Sequence, residues 1–167
     1  EINSHFTEIT GRAPMLPAWA AGFWQCKLRY ETQEELLAVA REYKRRGLPI
    51  SVIVIDYFHW TMQGEWKFDP EKWPDPKAMV EELDRMGIRL MVSIWPTIDP
   101  RSENYAYMMR HNYLLRAEKG VDVVFMFFGP QTYVDTTHPD GQRYFWSRAK
   151  NNYYDYGIKT FWLDEAE

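Results

Sequence analysis

The chain has 167 residues, of which 46% are hydrophobic and 26% charged, and its formal net charge is -4. These values are typical of one globular domain with a hydrophobic core. The charges are mixed, no apolar stretch has the length of a membrane span, and Cys26 is the one cysteine, so we expect no nucleic-acid partner, no membrane partner and no disulfide framework. The chain starts at Glu1 rather than at methionine, and we expect it to be an excised piece of a longer protein.

The first predicted elements are a short helix and a strand. The helix spans about residues 3–10, and the apolar segment from Trp19 to Cys26 predicts the first strand. Gly22 lies inside this segment, where we expect another backbone to approach closely.

A unit of helix, glycine and apolar strand follows. Thr32 and Glu35 form a capping box for a helix from Gln33 to Arg46, which a glycine ends. The continuous apolar run 50–55 is typical of a parallel strand that is covered on both faces. Asp56 stands at its end.

The same unit recurs twice. The second helix begins after its N-cap Asp75 and stops at a glycine, and the strand 90–95 follows. The third helix spans about residues 139–156, and a strand over 159–163 brings Asp164 to its tip.

An insertion separates the last two units. Residues 102–112 predict a helix, and the segments 113–116 and 121–128 predict a small hairpin or an irregular flap around Lys119 and Gly120. Insertions that follow a barrel strand commonly form a wall of the functional site.

Four strands of this kind fit two topologies. A flavodoxin-like open sheet would bind a nucleotide, but no glycine-rich phosphate loop follows any of the strands. A (β/α)8 barrel typically needs about 250 residues, so four strands are half of one. We therefore predict an α/β fold, a partial (β/α)8 TIM barrel with its first four strands and an insertion between the third and fourth, in which 1–167 is a single fragment.

Two carboxylates lie at the predicted strand tips. The tips of parallel strands converge on one mouth, so Asp56 and Asp164 are expected to lie close together. A lone carboxylate there is often a helix cap or an ion-pair partner, whereas a pair at equivalent points of a repeat indicates chemistry. Asp164 can attack the anomeric carbon of a sugar, and Asp56 can accept hydrogen bonds from sugar hydroxyls. Glu167 is a candidate for orienting Asp164 or for a structural ion pair.

Aromatic residues make up 17% of the chain, and several follow predicted strands. Burial in the core accounts for most of them, while rings at a mouth also suit the C–H faces of sugars. The aromatic residues after predicted strands are Phe58, Trp60, Trp66, Trp73 and Trp95. His59 either lines the pocket or makes a loop hydrogen bond. The four histidines show no metal-ligand spacing, and we expect no metal and no cofactor.

Five segments resemble one family in order and spacing over nearly the whole chain. They are LPAWAAGFWQ at 16–25, VIDYF at 54–58, FDPEKWPDP at 68–76, YVDTTHP at 133–139 and WLDEAE at 162–167. The chain resembles the N-terminal half of the catalytic barrel of glycoside hydrolase family 31, the α-glucosidase and α-xylosidase family. The resemblance implies a hydrolase of carbohydrate metabolism.

The resemblance also implies roles for individual residues. Asp164 matches the catalytic nucleophile of a retaining enzyme, Asp56 matches the carboxylate that holds the distal sugar hydroxyls, and Phe58 matches an aromatic residue beside it. Retention requires a second carboxyl about 5–5.5 Å from the nucleophile. The acid/base Asp of the family lies downstream of residue 167, so we expect the isolated chain to be inactive.

The substrate preference follows from details of the same segments. Residues 22–27 and 162–167 look more like the bacterial α-xylosidase branch than like the eukaryotic α-glucosidases. Xylose lacks the C6 hydroxymethyl group, and candidates to fill that space are Trp24, Trp95 and Trp162. α-Xylosides are thus favoured slightly over α-glucosides.

A rival interpretation is a non-catalytic half-barrel that folds, self-associates or binds sugar weakly. Four parallel strands leave two unpaired edges and an inner face on which residues such as those of 50–55 would be exposed. We expect the remainder of a barrel, or a homo-oligomer, to cover them.

Overall fold

The computed structural model describes residues 1–166, and Glu167 lies outside the described residues. The α-helices within this range are α1 Ile2–Thr10, α2 Gln33–Arg45, α3 Pro76–Arg85, α4 Tyr105–Arg110 and α5 Pro139–Asn152. The strands are β1 Trp24–Cys26, β2 Val52–Ile55, β3 Arg89–Ile94, β4 Thr97–Ile98, β5 Phe125–Met126, β6 Pro130–Tyr133 and β7 Thr160–Leu163. None of these helices has the length and apolar character needed to cross a bilayer.

The main sheet is parallel and follows chain order, β1-β2-β3-β7. The register pairs Cys26 with Val54, Val54 with Met91, and Met91 with Thr160. A doubly wound sheet reverses its strand order at a switch point, and this sheet does not. The sequential order is that of a barrel wall, which confirms the predicted partial barrel and excludes the flavodoxin-like alternative.

One face of the sheet packs against α2, α3 and α5. Ile53 and Ile55 of β2, with Val92 and Ile94 of β3, join the helices in a continuous buried core. The predicted N-caps are present: Thr32 accepts from the Glu35 N–H at 3.2 Å, and Asp75 accepts from the Ala78 N–H at 2.9 Å. The side chain of Glu35 bonds the N–H of Glu31 rather than that of the cap residue.

The first strand is shorter than predicted, because a turn occupies its first part. Residues Ala18–Ala21 form a 3-10 helix, in which the Pro17 carbonyl accepts from the Ala20 N–H at 2.9 Å. A close approach does occur at Gly22, but it is made by the side chain of Ser51 rather than by another backbone, since a Cβ on the glycine would stand 1.8 Å from the Ser51 Oγ. The paired strand therefore begins only at Trp24.

The predicted exposure of the inner face is wrong for the central strand. Val52 and Val54 are 0% and 4% exposed, on a strand that lies between β1 and β3. Exposed inner side chains occur instead on the edge strands, at Trp24 and Trp162.

The insertion contains a second, antiparallel sheet of order β4-β6-β5. The predicted hairpin is present as one bridge between Arg116 and Asp122, but the pairing of 113–116 was assigned incorrectly. Leu114 bridges Val134 instead, at the end of β6. The local apolar pattern predicts 121–128 as the main strand of the insertion. The strand that pairs with both β4 and β5 is instead the polar strand β6. The helix α4 is also shorter than the predicted 102–112.

Candidate active site

Both predicted carboxylates lie at the C-terminal ends of parallel strands. Asp56 follows β2 and is 6% exposed, while Asp164 follows β7 and is half-buried. Burial raises the pKa of Asp56, the Tyr57 N–H bond to its carboxylate counteracts this, and the charge of Asp164 raises it further. The two side chains are thus close enough to interact electrostatically, as the convergence of the strand tips predicts.

Trp95, at the end of the intervening strand β3, holds Asp164 directly. Its indole N–H donates to Asp164 Oδ2 at 3.0 Å, and the Asp164 N–H donates to the Ile94 carbonyl at 3.2 Å. Trp95 itself is buried, so its indole has little freedom to move. The Asp164 carboxylate therefore has a fixed hydrogen-bond donor on one oxygen.

Aromatic rings surround Trp95 at the mouth. Its ring centroid lies 5.5 Å from that of Tyr57, 5.8 Å from Phe58 and 5.8 Å from Phe127. Phe128 packs edge-on against Phe58 at 4.9 Å. These rings form a wall beside the carboxylates, and the insertion supplies two of them, as the position of the insertion after β3 predicts.

Phe127 and Phe128 were not among the predicted site residues. The signal that points to them is the sequence Phe-Met-Phe-Phe at 125–128, with three aromatic residues out of four, which Gly129 ends inside the predicted flap. Phe58, Phe128 and Glu165 all have a positive φ, of 59°, 53° and 53°. Non-glycine residues rarely adopt this conformation, and such strain clusters at functional sites.

The remaining predicted aromatic residues divide between the site and the core. Trp162 precedes Asp164 by two residues, so it faces the same side of the sheet, where it is 40% exposed. Trp66 and Trp73 are fully buried. Trp66 donates its indole N–H to the Trp95 carbonyl at 2.8 Å and thus supports the site from behind.

His59 makes a loop hydrogen bond and does not line the pocket. The ring is buried, with Nδ1 2.9 Å from the Asp56 carbonyl oxygen and Nε2 2.9 Å from the Tyr153 hydroxyl. Burial lowers the pKa of His59 to about 4, so the ring is neutral at pH 7. Within residues 1–166, no three His, Cys, Asp or Glu side chains are grouped so that they could hold a metal ion.

Comparison with known families identifies the fold. The model of the glycosyl hydrolases family 31 TIM-barrel domain matches residues 13–167. The chain belongs to glycoside hydrolase family 31. The resemblance inferred from the five sequence segments is therefore confirmed.

Individual family 31 relatives cover the whole chain. It is 55% identical over 167 residues to the uncharacterized family 31 glucosidase ORF2 of Pseudescherichia vulneris, with 100% of this chain and 32% of the relative covered. It is 37% identical to alpha-xylosidase A of Aspergillus niger, with 99% of this chain and 23% of the relative covered. The chain thus spans about a third of the first relative and less of the second.

Solved structures of the family give the same result. The crystal structure of a GH31 alpha-xylosidase from a soil metagenome, complexed with xylose, superposes with a TM-score of 0.88 at 65% identity, covering 94% of this chain and 23% of that one. The four parallel strands described above are accordingly one part of a family 31 barrel. In such barrels the functional site lies at the C-terminal face, where Asp56, Phe58, Trp95 and Asp164 meet.

Proposed function

We propose that Asp164 is the nucleophile of a retaining α-glycosidase. The observation that carries this proposal is the 3.0 Å bond from the Trp95 indole N–H to Asp164 Oδ2. An anchored Oδ2 leaves the attack to Oδ1 and keeps the carboxylate at a fixed angle. Preorganisation of a nucleophile in this way lowers the cost of reaching the transition state.

The reaction is a double displacement. Asp164 Oδ1 bonds to the anomeric carbon while the bond to the leaving oxygen breaks, and an acid residue from outside this chain protonates that oxygen. The resulting glycosyl ester is then hydrolysed by water, which the same residue deprotonates as a base. Residues 1–167 supply the nucleophile, and we propose that they form one unit, the N-terminal half of the catalytic barrel.

Asp56 binds the glycone in this proposal. Its buried carboxylate accepts hydrogen bonds from the distal sugar hydroxyls, and a hydroxyl donor compensates for the burial that raises the pKa of the free side chain. Phe58 packs beside it, and Trp95 and Trp162 contact the sugar from the inner face of the barrel. The C–H groups of a pyranose pack on such rings.

We favour α-linked xylosyl residues over glucosyl residues as substrate. The rings of Tyr57, Phe58, Trp95 and Phe127 pack on one another beside the Asp164 carboxylate that Trp95 bonds, and such crowding suits a sugar without a hydroxymethyl group. The names of two relatives, at 65% and 37% identity, also state alpha-xylosidase. The relative at 55% identity is named a glucosidase, so activity on α-glucosides is the second candidate.

The isolated chain 1–167 is expected to be a non-catalytic half-barrel. The edge strand β7 exposes Leu163, and β1 exposes Trp24 and Cys26. We propose that the remainder of the barrel covers these edges in the complete protein, and that self-association does so in the isolated fragment. Light scattering of the fragment is then expected to show oligomers, and a monodisperse monomer would contradict the proposal.

The substitution Asp164→Ala in the full-length protein tests the nucleophile. We expect hydrolysis of p-nitrophenyl α-xyloside to fall by at least about a thousandfold, with the circular dichroism spectrum unchanged. Asp155→Ala is the matched control, because Asp155 is an exposed acid that pairs with Lys150 at 2.7 Å in the turn before β7, whereas Asp164 follows the other end of that strand. A rate like that of the wild type in the Asp164 variant would refute the proposal.

A further inference from the structure

The peptide group between Asp56 and Tyr57 is hydrogen-bonded at both of its polar ends. Its N–H, from Tyr57, donates to Asp56 Oδ1 at 2.8 Å, and its carbonyl oxygen, from Asp56, accepts from His59 Nδ1 at 2.9 Å. A trans peptide is planar, so its N–H and C=O point in opposite directions and rotate together. A group that holds the carbonyl oxygen therefore also sets the direction of the N–H that faces the Asp56 carboxylate.

The hydrogen bonds assign the direction of each donor. A carbonyl oxygen only accepts, so Nδ1 of His59 carries the proton and Nε2 has a lone pair. The Tyr153 hydroxyl, 2.9 Å from Nε2, is then the donor to the ring. Burial lowers the pKa of His59 to about 4 and raises that of Tyr153 well above its ordinary value. Both groups stay neutral at pH 7, as this chain of donors requires.

Packing prevents the His59 ring from turning. His59 is 1% exposed and Tyr153 is 0% exposed. Phe68 contacts both rings, at centroid distances of 5.1 Å from His59 and 5.0 Å from Tyr153. Tyr153 follows the last residue of α5 and is 94 residues from His59 in the chain. The hydrogen bond between them therefore connects the end of α5 to the loop after β2.

We propose that His59 and Tyr153 are positioning residues that orient the Asp56 carboxylate through the Asp56–Tyr57 peptide. Tyr153 fixes the tautomer of His59, His59 fixes the peptide plane, and the Tyr57 N–H fixes the carboxylate rotamer. This inference rests on the proposed role of Asp56 in binding the sugar. Neither positioning residue touches the substrate.

Two variants of nearly equal shape separate positioning from simple support of the fold. In His59→Asn, the side-chain amide nitrogen can take the place of Nδ1 and donate to the Asp56 carbonyl, whereas His59→Leu has no donor. In the full-length protein we expect kcat/KM of the Asn variant on an aryl α-xyloside to exceed that of the Leu variant by about tenfold, the effect of one hydrogen bond. A purely structural role predicts the opposite order, because a buried amide without all its partners costs more stability than Leu.

A double-mutant cycle shows whether the effect passes through Asp56. In an Asp56→Ala background, the difference in kcat/KM between the Asn and Leu variants is expected to disappear, since no carboxylate remains to be oriented. Melting temperatures measured in parallel report the structural cost separately. If the tenfold difference persists in that background, the inference is wrong.

A second readout does not depend on turnover. The pKa of Asp56 can be followed by the 13C signal of its carboxyl carbon in the labelled full-length protein, assigned by its loss in Asp56→Asn. The Tyr57 N–H bond favours the ionised form, so the pKa is expected to be higher in His59→Leu than in His59→Asn. Equal pKa values in the two variants would overturn the inference. If Asp164→Ala retains turnover, the proposed function fails, and this titration still decides the role of His59.

Discussion

β2 and β7 each bring a carboxylate to the mouth of the barrel, but their surroundings differ. β2 lies between β1 and β3, and all four of its residues are buried. β7 pairs only with β3 in the described residues, and none of its four residues is buried. Asp56 is therefore oriented by its own peptide and by His59, whereas Asp164 depends on Trp95 of the neighbouring strand. The Asp56 carboxylate accepts from the N–H of the next residue, whereas the proposed nucleophile accepts from a side chain 69 residues away.

Low pH is expected to destabilise the folded chain through the buried ring of His59, which supports Asp56 at the end of β2. Burial lowers the pKa of His59 to about 4 in the folded chain, whereas in the unfolded chain it lies near its ordinary value of 6.5. The unfolded state therefore binds a proton first, and stability that is complete above pH 6.5 is lost as the pH falls towards 4. The expected loss is about 3 kcal/mol.

Denaturant unfolding between pH 7.5 and 4 measures this loss. The variant His59→Gln, which has no titratable ring, serves as the control. Its free energy of unfolding is expected to fall less steeply over this range than that of the wild type. Equal slopes would show that His59 is not a neutral buried ring.

Removal of the Trp95 indole N–H tests whether this donor holds the Asp164 carboxylate at the end of the edge strand β7. Trp95→Phe keeps a ring in the aromatic wall but loses the N–H that bonds Asp164. A hydrogen bond to a charged group contributes about 1.5–3 kcal/mol, so kcat/KM of the full-length protein is expected to fall by about tenfold to a hundredfold. Trp146→Phe, on the exposed face of α5, is the control for the same chemical change. Similar rates in the two variants would contradict the role of Trp95.

The smallest expected effect is the change in the free energy of unfolding when the charge of Asp56 is removed. Its pKa is raised in the folded chain, so the ionised form disfavours folding at neutral pH, and this cost disappears as the pH falls through that pKa. Asp56→Asn keeps an oxygen for the Tyr57 N–H and removes the charge. We expect it to raise the free energy of unfolding at pH 7 by less than the effects above, and this gain shrinks as the pH falls through the pKa of Asp56. A gain that is independent of pH would show that burial of charge is not its cause.

Local patterns predicted the parts of the fold that depend on neighbours in sequence. The runs 50–55, 90–95 and 159–163 correspond within two residues to β2, β3 and β7. Each run is largely apolar, follows a glycine that ends a helix and leads to a polar or aromatic tip, and these signals lie within a few residues of one another. The two carboxylates could be assigned to one mouth for the same reason, since the repeat alone places each of them at the C-terminal end of a parallel strand.

Contacts between distant residues could not be predicted from such patterns. Trp95 and Asp164 are 69 residues apart, and His59 and Tyr153 are 94 apart. The indole bond and the histidine bond depend on the rotamers that packing imposes after the strands have assembled. The position of Phe127 and Phe128 likewise depends on the short hairpin of β5 and β6, whose sequence has no alternating apolar pattern.

The central claim is that Asp164 forms a covalent bond with the sugar, and trapping that bond is its most direct test. A fluorinated α-xylosyl donor is incubated with the full-length protein, and the peptides are then sequenced by mass spectrometry. We predict one added glycosyl group, attached to Asp164, and none in the Asp164→Ala variant. Attachment to a different residue would contradict the account.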